Sequence, residues 1–444
     1  MYRLAGGIWF VFYMLTASGQ EPGSFADFNN RTYALYEQRQ WKDLLKTGRE
    51  AIHNGYDYYY LRMRMGIAAY ERKNYMRAIP HFRKALTFNR TDSVAQEYLY
   101  YCYLFSNRKI EAQALLDKMP GTLRSKVVKK ETGSILSLML SADYYYVNKN
   151  NTHPAPANFP SPSAESAWRN MENYGGETSV TAEWETGGNI RLQTGYRFLT
   201  KQRDSYVLEN GQETYSPENV YNQHHFFTQF QIRLYNDTYL SLSAGFLNLR
   251  PRYAASTRWG QTILKVSPEY NYTGYLLVKH DFPYISFIAG GGISNLNGYL
   301  QTQQEAEVIL YPLGNINLYF SAGLTNVVQQ ATDPVFRRSL FGTATLGVRV
   351  MKPLWIQVYE SYGDRYNVQL QRGWEVYNLF NPLSEVFGAE ALISIPAKKL
   401  VINAGFFRTA AKSYYFYQDQ EILFRNEPIK YNLFNINGGL KWNF

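Results

Sequence analysis

The sequence contains almost no cysteine: Cys102 is the only one among 444 residues. A single thiol cannot form an internal disulfide and cannot build a thiolate metal cluster. Long apolar runs are also scarce, because no stretch beyond the first twenty residues reaches the roughly 18 apolar residues of a membrane-spanning helix. These two absences exclude a disulfide-stapled scaffold and a protein that crosses a membrane with helices.

Recognisable catalytic motifs are missing as well. The sequence has no Walker loop, no HExxH and no GxSxG. The pair His224-His225 has no third zinc ligand at a suitable spacing, and strand alternation turns only His225 inward. The serines that follow, Ser241 and Ser243, are out of register for a nucleophile–histidine pair. We therefore expect a non-enzymatic protein without catalytic residues, cofactor or metal.

Aromatic residues, by contrast, are abundant, at 17% of the chain with 40 tyrosines. Mean hydropathy is only −0.39. A low average does not exclude a membrane, because half of each strand of a transmembrane barrel faces water while aromatic girdles mark its rims. Aromatics near strand ends, such as Tyr145, Tyr359 and Trp442, are predicted to belong to such girdles.

Residues 1–19 have the features of a secretory signal peptide. Arg3 supplies a positive charge, an apolar stretch follows, and Ala17, Ser18 and Gly19 are small residues at a plausible cleavage point. The alternative is a buried N-terminal helix. Export from the cytoplasm makes nucleic acid an unsuitable partner, so we expect none.

Residues 25–125 contain a helical repeat. Residues 41–55 match residues 75–89 at an offset of 34, which places Trp41 on Tyr75 and Ala51 on Ala85. The middle copy resembles the tetratricopeptide (TPR) family. Six residues carry the resemblance as helix-packing and docking positions: Gly66, Tyr70, Tyr75, Ala78, Phe82 and Ala85.

That resemblance implies a short solenoid with a concave face for partner proteins. About two and a half repeats are present, close to the minimum for a stable stack, so the array is expected to lean on another part of the chain. It also carries most of the net charge of +10. This excess favours an anionic partner or membrane surface, or else an ordinary solvated helical surface.

Residues 132–444 alternate with the period of β-strands. In the segment 316–325, apolar residues at even positions oppose small polar residues at odd positions. A soluble sandwich would pair a bulky face with a charged one, whereas small polar residues suit a wet lumen. Fourteen such strands are predicted, and their connections alternate between short turns and long loops, among them 148–175, before a strand that begins at 176, and 202–221. This pattern predicts a transmembrane barrel with periplasmic turns; a periplasmic sandwich is the alternative.

The last strand ends on an aromatic residue. Leu440, Trp442 and Phe444 share its apolar face, and Lys441 and Asn443 lie on its polar face. We interpret Leu440, Trp442 and Phe444 as the C-terminal signal that the barrel-insertion machinery recognises. In that position they would also contact lipid at the periplasmic rim.

The sequence thus predicts an α + β multidomain protein: a short periplasmic TPR α-solenoid followed by a ~14-stranded antiparallel transmembrane β-barrel. This architecture is similar to the polysaccharide-export porins and YaiO-like barrels of Gram-negative, Bacteroidota-type bacteria. The resemblance implies an outer-membrane conduit for an envelope polymer or solute. Its partners would be outer-membrane lipid, periplasmic or outer-membrane proteins docked on the repeats, and a polysaccharide. The alternative is a structural subunit of a secretion or biogenesis complex with a plugged barrel.

Overall fold

The computed structural model describes residues 23–127, 135–148, 166–209, 212–256, 262–331, 334–414 and 428–444. The predicted signal peptide at 1–19 lies outside these residues. Within them, a helical segment comes first and a closed antiparallel barrel follows. None of the helices in the described ranges is long and apolar enough to cross a membrane.

The helical segment, here called the array, comprises seven helices in the described residues. They are α1 (Phe25–Glu37), α2 (Trp41–His53), α3 (Tyr59–Glu71), α4 (Tyr75–Phe88), α5 (Ser93–Phe105), α6 (Lys109–Leu116) and α7 (Gly121–Val127). Ser24 begins α1 with a capping box to Asp27, and the Asp92 side chain caps α5. Apolar residues from α1 to α7 form one shared core, so the helices stack as a single unit.

The described strands are β1 (Ile135–Val147), β2 (Ser166–Glu185), β3 (Ile190–Glu209), β4 (Gln212–Tyr235), β5 (Thr238–Ser256), β6 (Thr262–Val266), β7 (Glu269–Asp281), β8 (Ile285–Ser294), β9 (Gln301–Leu310), β10 (Leu318–Gln329), β11 (Arg338–Met351), β12 (Leu354–Arg365), β13 (Val368–Leu370), β14 (Glu375–Tyr377), β15 (Leu383–Ile395), β16 (Leu400–Ser413) and β17 (Ile429–Asn443).

Fourteen of these strands form the wall of the barrel. Each pairs antiparallel with its neighbours, and β1 pairs with β17 from Ser137↔Asn443 to Val147↔Leu433, which closes the sheet. The short β6 continues the line of β7 along β5, and β13 and β14 form a separate hairpin. The predicted number of fourteen strands is confirmed.

Several strands are longer than the sequence predicts. The segment 202–221 was expected to be a loop, but β3 and β4 stay paired as far as Glu209↔Gln212. Strand β2 also begins earlier than predicted, because its pairing with β3 starts at Ser166 instead of residue 176. The dipeptide Asn210-Gly211 between β3 and β4 is a strong hairpin signal that the alternation pattern alone overlooked. The barrel wall therefore extends on the side opposite the short turns.

The array contacts the end of the barrel that carries the short turns. The backbone N–H of Met76 donates to the carbonyl of Gly314 at 3.0 Å, and the Asn315 amide donates to the carbonyl of Lys73 at 2.7 Å. The Asn74 amide donates to the Tyr284 hydroxyl at 2.7 Å. The array thus packs against the barrel, as the small number of predicted repeats led us to expect.

Candidate functional site: a divided lumen

The interior of the barrel is lined by polar side chains because alternate residues of each strand face inward. On β17, Asn435 and Asn437 line the lumen while Ile436 is 53% exposed on the outer face. On β1, Ser141 and Asp143 face inward and Leu140 faces outward. The two-sided pattern predicted from the sequence is confirmed on these strands.

The lumen contains a hairpin that the sequence pattern did not predict. It comprises β13, β14 and the turn between them, within the connection from β12 to β15. Its turn places Gln371 (φ 47), Arg372 (φ 64) and Gly373 (φ 88) in the left-handed region. Two consecutive non-glycine residues in this region are unusual and require support from surrounding contacts.

The lumen wall supplies that support. Arg197 on β3 donates to the carbonyl of Trp374 at 2.8 Å, and Ser243 on β5 donates to the carbonyl of Arg372 at 2.8 Å. On the other flank, the Gln303 amide donates to the carbonyl of Gln369 at 2.8 Å. Hydrogen bonds to three wall strands hold the hairpin across the lumen, so it acts as a partition. We call it the lumen hairpin (residues 368–377).

The lumen hairpin separates two cavities. The main chamber measures about 890 Å³ and is lined by the hairpin and by both sides of the wall. The array-side chamber measures about 480 Å³ and is lined by wall residues and by array residues 107–111. Gln193, Gln229 and Arg372 line both chambers. The tip of the hairpin therefore lies at their boundary.

The array-side chamber is ringed by paired charges. Glu183 on β2 accepts a hydrogen bond from Lys441 on β17 at 2.7 Å. Arg191 and the array residue Lys109 each approach the other oxygen of Glu183 to 3.9 Å. Three cations around this one carboxylate join three wall strands, β2, β3 and β17, and the array. Lys441 is therefore more than a solvated lumen charge.

An ionic contact fastens the array to the turn between β4 and β5. Arg83 on α4 binds the Asp237 carboxylate with two hydrogen bonds, at 2.6 and 2.7 Å. Arg108, whose side chain is 6% exposed, binds the same carboxylate and lies 3.7 Å from Asp281. Burial by itself would raise the pKa of Asp237, but the bonds and charges of Arg83 and Arg108 outweigh it and hold that pKa below its usual value.

A second contact buries an array carboxylate against the wall. The Tyr239 hydroxyl at the start of β5 donates to Glu111 on α6, and Glu111 is 1% exposed. Burial raises the pKa of Glu111, with partial opposition from Arg108. The array is thus held against the turn end of the barrel by buried polar contacts as well as ion pairs.

The six predicted TPR positions lie at the junction of α3, α4 and α5. A Cβ on Gly66 would stand 2.7 Å from Phe82, which is itself fully buried, as are Ala78 and Ala85. Tyr70 packs edge-on against Tyr75 with ring centroids 5.3 Å apart and against Tyr98 at 4.9 Å. These positions pack helices together; their part in docking a partner stays a prediction.

Of the three predicted signal residues, Leu440 and Trp442 lie on the outer face of β17, and Phe444 directly follows the strand. Leu440 is 48% exposed, Trp442 57% and Phe444 46%. The Phe444 N–H donates to the carbonyl of Leu136 at 3.0 Å, so the last residue still takes part in closure against β1. Their recognition by insertion machinery stays a prediction.

Two of the predicted girdle aromatics are placed elsewhere. Tyr145 and Tyr359 line the main chamber, so the girdle prediction was wrong for both. The register of their strands turns them inward, because they alternate with outward-facing Tyr144 and Glu360. Both add aromatic faces to the lumen.

His225 faces inward, as predicted, and is 1% exposed, with its ring 6.5 Å from that of Trp374. Within the described ranges, no three His, Cys, Asp or Glu side chains are grouped so that they could hold a metal ion. Cys102 is fully buried in the array.

No family model and no curated protein matches the sequence. Among solved structures, the toluene transporter TodX of Pseudomonas putida aligns with 9% identity over 77% of this chain and 94% of its own, at a TM-score of 0.43. A FadL homologue from Pseudomonas aeruginosa aligns with 6% identity over 70% and 90%, also at 0.43. A bacterial polysaccharide outer-membrane secretin aligns with 7% identity over 70% and 100%, at 0.34. These values are too low to carry an argument about this chain.

Proposed function

We propose that this protein is a non-enzymatic outer-membrane β-barrel that passes an envelope polymer or a solute through its lumen. Its TPR-like array lies in the periplasm, where it meets partner proteins. The observation that carries the proposal is a ring of exposed, large apolar side chains around the barrel. Folded soluble proteins rarely expose so continuous an apolar surface, whereas lipid requires one.

The ring extends around the wall on alternate residues. Its members are exposed, outward-facing and apolar, and they include Leu140, Leu242, Leu276, Phe287, Leu310, Phe320, Leu324, Leu346, Phe387, Phe406, Ile436 and Leu440. They come from strands on every side of the closed sheet. A soluble sandwich would need to cover such a surface.

The lengths of the wall strands fit the same proposal. The shortest wall strands, β8 and β9, each have 10 residues. About 9–11 residues are enough to cross a bilayer at the tilt of a barrel strand. The longer strands β2 to β5 would project beyond the lipid on the side opposite the array. Short turns face the periplasm in bacterial barrels, and by this rule the proposed location of the array and of Phe444 is the periplasm.

The lumen supports a conduit because its two chambers are large and lined by polar groups. Small polar and charged side chains suit the passage of a hydrated solute or a sugar polymer. In this conformation, however, the lumen hairpin and the array obstruct it. Passage would require both to move. We expect brief movements of this kind in the isolated protein, and a periplasmic partner could prolong them by displacing the array.

The two obstructions also favour a second candidate function. In a structural subunit of an outer-membrane secretion or biogenesis complex, the barrel would serve as an anchor and its lumen would stay plugged. The lumen hairpin is fixed by hydrogen bonds to three wall strands. Such anchoring suits a permanent plug as well as a gate.

Single-channel recording on the purified full-length protein distinguishes the two functions. The comparison includes wild type and a variant in which residues 368–377 are replaced by a short Gly-Ser link. For a conduit we expect discrete openings in wild type and a larger, steadier conductance in the shortened variant. Heat-modifiable migration on gels checks that each barrel is folded.

Two results would count against the conduit. A silent wild type beside a conducting shortened variant would indicate a plugged structural subunit. Silence in both folded proteins would show that removal of the hairpin opens no path. Fractionation of the native envelope tests location separately: recovery of the protein outside the outer membrane would contradict the transmembrane proposal.

A further inference from the structure

The main chamber carries an excess of negative charge. Among its lining residues are seven carboxylates and four cationic side chains. Two carboxylates are paired: Glu172 with Lys201 at 3.1 Å, and Glu177 with Arg197. Asp143, Glu375 and Glu390 form no ion pair with any described residue. The chamber thus presents carboxylates that its own cations do not neutralise.

These three carboxylates come from separate elements but line the same chamber. Asp143 lies on β1, Glu375 on the lumen hairpin and Glu390 on β15. Asp143 and Glu390 lie level with each other on the wall, because the residues that pair with them, Asn437 on β17 and Gly405 on β16, pair with one another. Like charges grouped in a partly enclosed space repel, and a cation placed among them relieves that repulsion.

Two buried amide groups supply independent evidence. Gln369 and Asn378 are each 2% exposed and line the same chamber. Their amide nitrogens are committed, because Gln369 donates to the carbonyl of Ile293 and Asn378 donates to Asn271. Gln369 Oε1 and Asn378 Oδ1 have no hydrogen-bond partner in the described structure. Buried acceptors left without a partner are costly, so a ligand that donates hydrogen bonds would stabilise them.

The aromatic residues of the chamber already contact cations. The Arg197 guanidinium lies 5.1 Å from the Trp374 ring centroid. The Lys201 ammonium lies 5.0 Å from the rings of Tyr145 and of Tyr377. Aromatic faces attract ammonium and guanidinium groups through their quadrupoles. The chamber therefore combines carboxylates, buried acceptors without a partner and aromatic rings that already hold cations, the three groups that favour an organic ammonium ion.

We infer that the main chamber is a binding site for solutes that carry ammonium groups, and that the lumen selects for cations. Selection by the lumen rests on the proposed conduit, whereas binding in the chamber does not. A protonated amine would lie among Asp143, Glu375 and Glu390, donate N–H groups to their oxygens and place its methylenes against aromatic rings.

Two arginines oppose this assignment and make it testable. Arg372 lies at the hairpin tip between the chambers, and Arg365 lines the main chamber 5.8 Å from the Phe341 ring centroid. Arg365 has two side-chain nitrogens without an acceptor. If these cations dominated the field, the lumen would select anions instead.

The first experiment measures the reversal potential of the reconstituted full-length protein in a KCl gradient. We expect the sign of a cation-selective pore. In the triple variant Asp143→Asn, Glu375→Gln, Glu390→Gln, the potential should move toward zero. Glu360→Gln removes one carboxylate charge from the outer face of β12, as Asp143→Asn alone does inside the lumen, and should leave the potential unchanged. An anion-selective or non-selective wild type would overturn the inference while leaving the conduit intact.

The second experiment needs no conduction. Spermidine binding to the detergent-solubilised protein is measured by titration calorimetry, so the chamber is tested even if the pore is silent. We expect the triple variant to bind at least about tenfold more weakly, which corresponds to about 1.4 kcal/mol. Glu360→Gln should bind like wild type. If the triple variant does not fold, Asp143→Asn alone replaces it. Equal binding by wild type and the chamber variant, or no binding by wild type, would overturn the inference.

Discussion

The ionic contact at Asp237 can be broken with one nearly isosteric change. Asp237→Asn keeps the shape of the side chain and removes the charge that Arg83 and Arg108 share. Loss of one partner of a buried pair costs about 3–5 kcal/mol. Here the Asp237 side chain is 21% exposed, and Asp281 stays 3.7 Å from Arg108. We therefore expect a smaller loss of about 2–3 kcal/mol from the contact.

The single cysteine reports this loss without any added label. Cys102 is completely buried in the folded array. A reagent can therefore reach its thiol only when the array opens. Burial also raises the pKa of its thiol, so the closed form is unreactive. When α4 and α6 open, the contacts of Arg83 and Arg108 with Asp237 break. Because the variant has already lost much of that contact energy, its free energy of opening should be lower by the same amount. Alkylation of Cys102 should then accelerate roughly 30- to 150-fold.

Glu50→Gln is the matched control, because Glu50 is an exposed carboxylate of the array. Its alkylation rate should equal that of wild type. An Asp237→Asn variant with an unchanged alkylation rate would refute the view that contact with the barrel turn stabilises the array.

The contact between Asp237 and the two arginines should also weaken in acid. Because the pKa of Asp237 is lowered in the folded protein, its contribution is present near neutrality and lost as pH falls through that pKa.

The remaining predictions concern packing, protonation and assembly. Gly66→Leu should destabilise the array by about 1–3 kcal/mol through collision with Phe82, accelerate its hydrogen exchange and weaken partner capture, while heat-modifiable barrel migration survives. His81 has a pKa of about 3 because burial and nearby arginines disfavour its cation. The unfolded chain takes up that proton first, so array stability should decline by about 1.4 kcal/mol per pH unit below the ordinary histidine pKa, and His81→Gln should flatten this decline in hydrogen exchange. Deletion of Phe444 should sharply reduce outer-membrane levels in fractionation, whereas Asn443→Ala should change them little.

Each of these has a contrary outcome. A Gly66→Leu barrel that fails to fold would show that array and barrel are not separable. At Gly121 no atom lies within 4 Å of an added Cβ, so Gly121→Leu is the tolerated control. An equally steep acid decline in His81→Gln would assign the effect to other groups. Equal outer-membrane levels of the protein with and without Phe444 would show that this residue is not part of the assembly signal.

Much of the fold was predictable because strand alternation is a local property. Strands such as β10, β11 and β17 show their two faces within a dozen residues, and their number followed from counting them. It was harder to predict on which face of the sheet a single aromatic side chain lies. Tyr145 and Tyr146 are neighbours of the same type, and only the cross-strand register decides which of them enters the lumen.

The candidate site was less predictable, because it depends on contacts between distant segments. The lumen hairpin has two strands of 3 residues each, too short to show a period. Its signals were Val368, Leu370 and Val376 flanking a turn with Gly373, which are weak evidence inside a long connection. Arg83 and Arg108 look like ordinary surface charges in a helical repeat. Their partner Asp237 is more than a hundred residues away, and no local pattern links them.

The short connection between α7 and β1 limits how far the array can travel. Helix α7 ends at Val127 and β1 begins at Ile135, and even a fully extended link of this length spans only about 25 Å. An undocked array therefore remains beside the mouth of its own barrel, at an effective concentration in the millimolar range. A periplasmic protein that held the array away from the barrel would compete against that local concentration. Such a competitor would need to bind far more tightly than the docked contacts alone suggest, or to remain close by through its own attachment to the membrane.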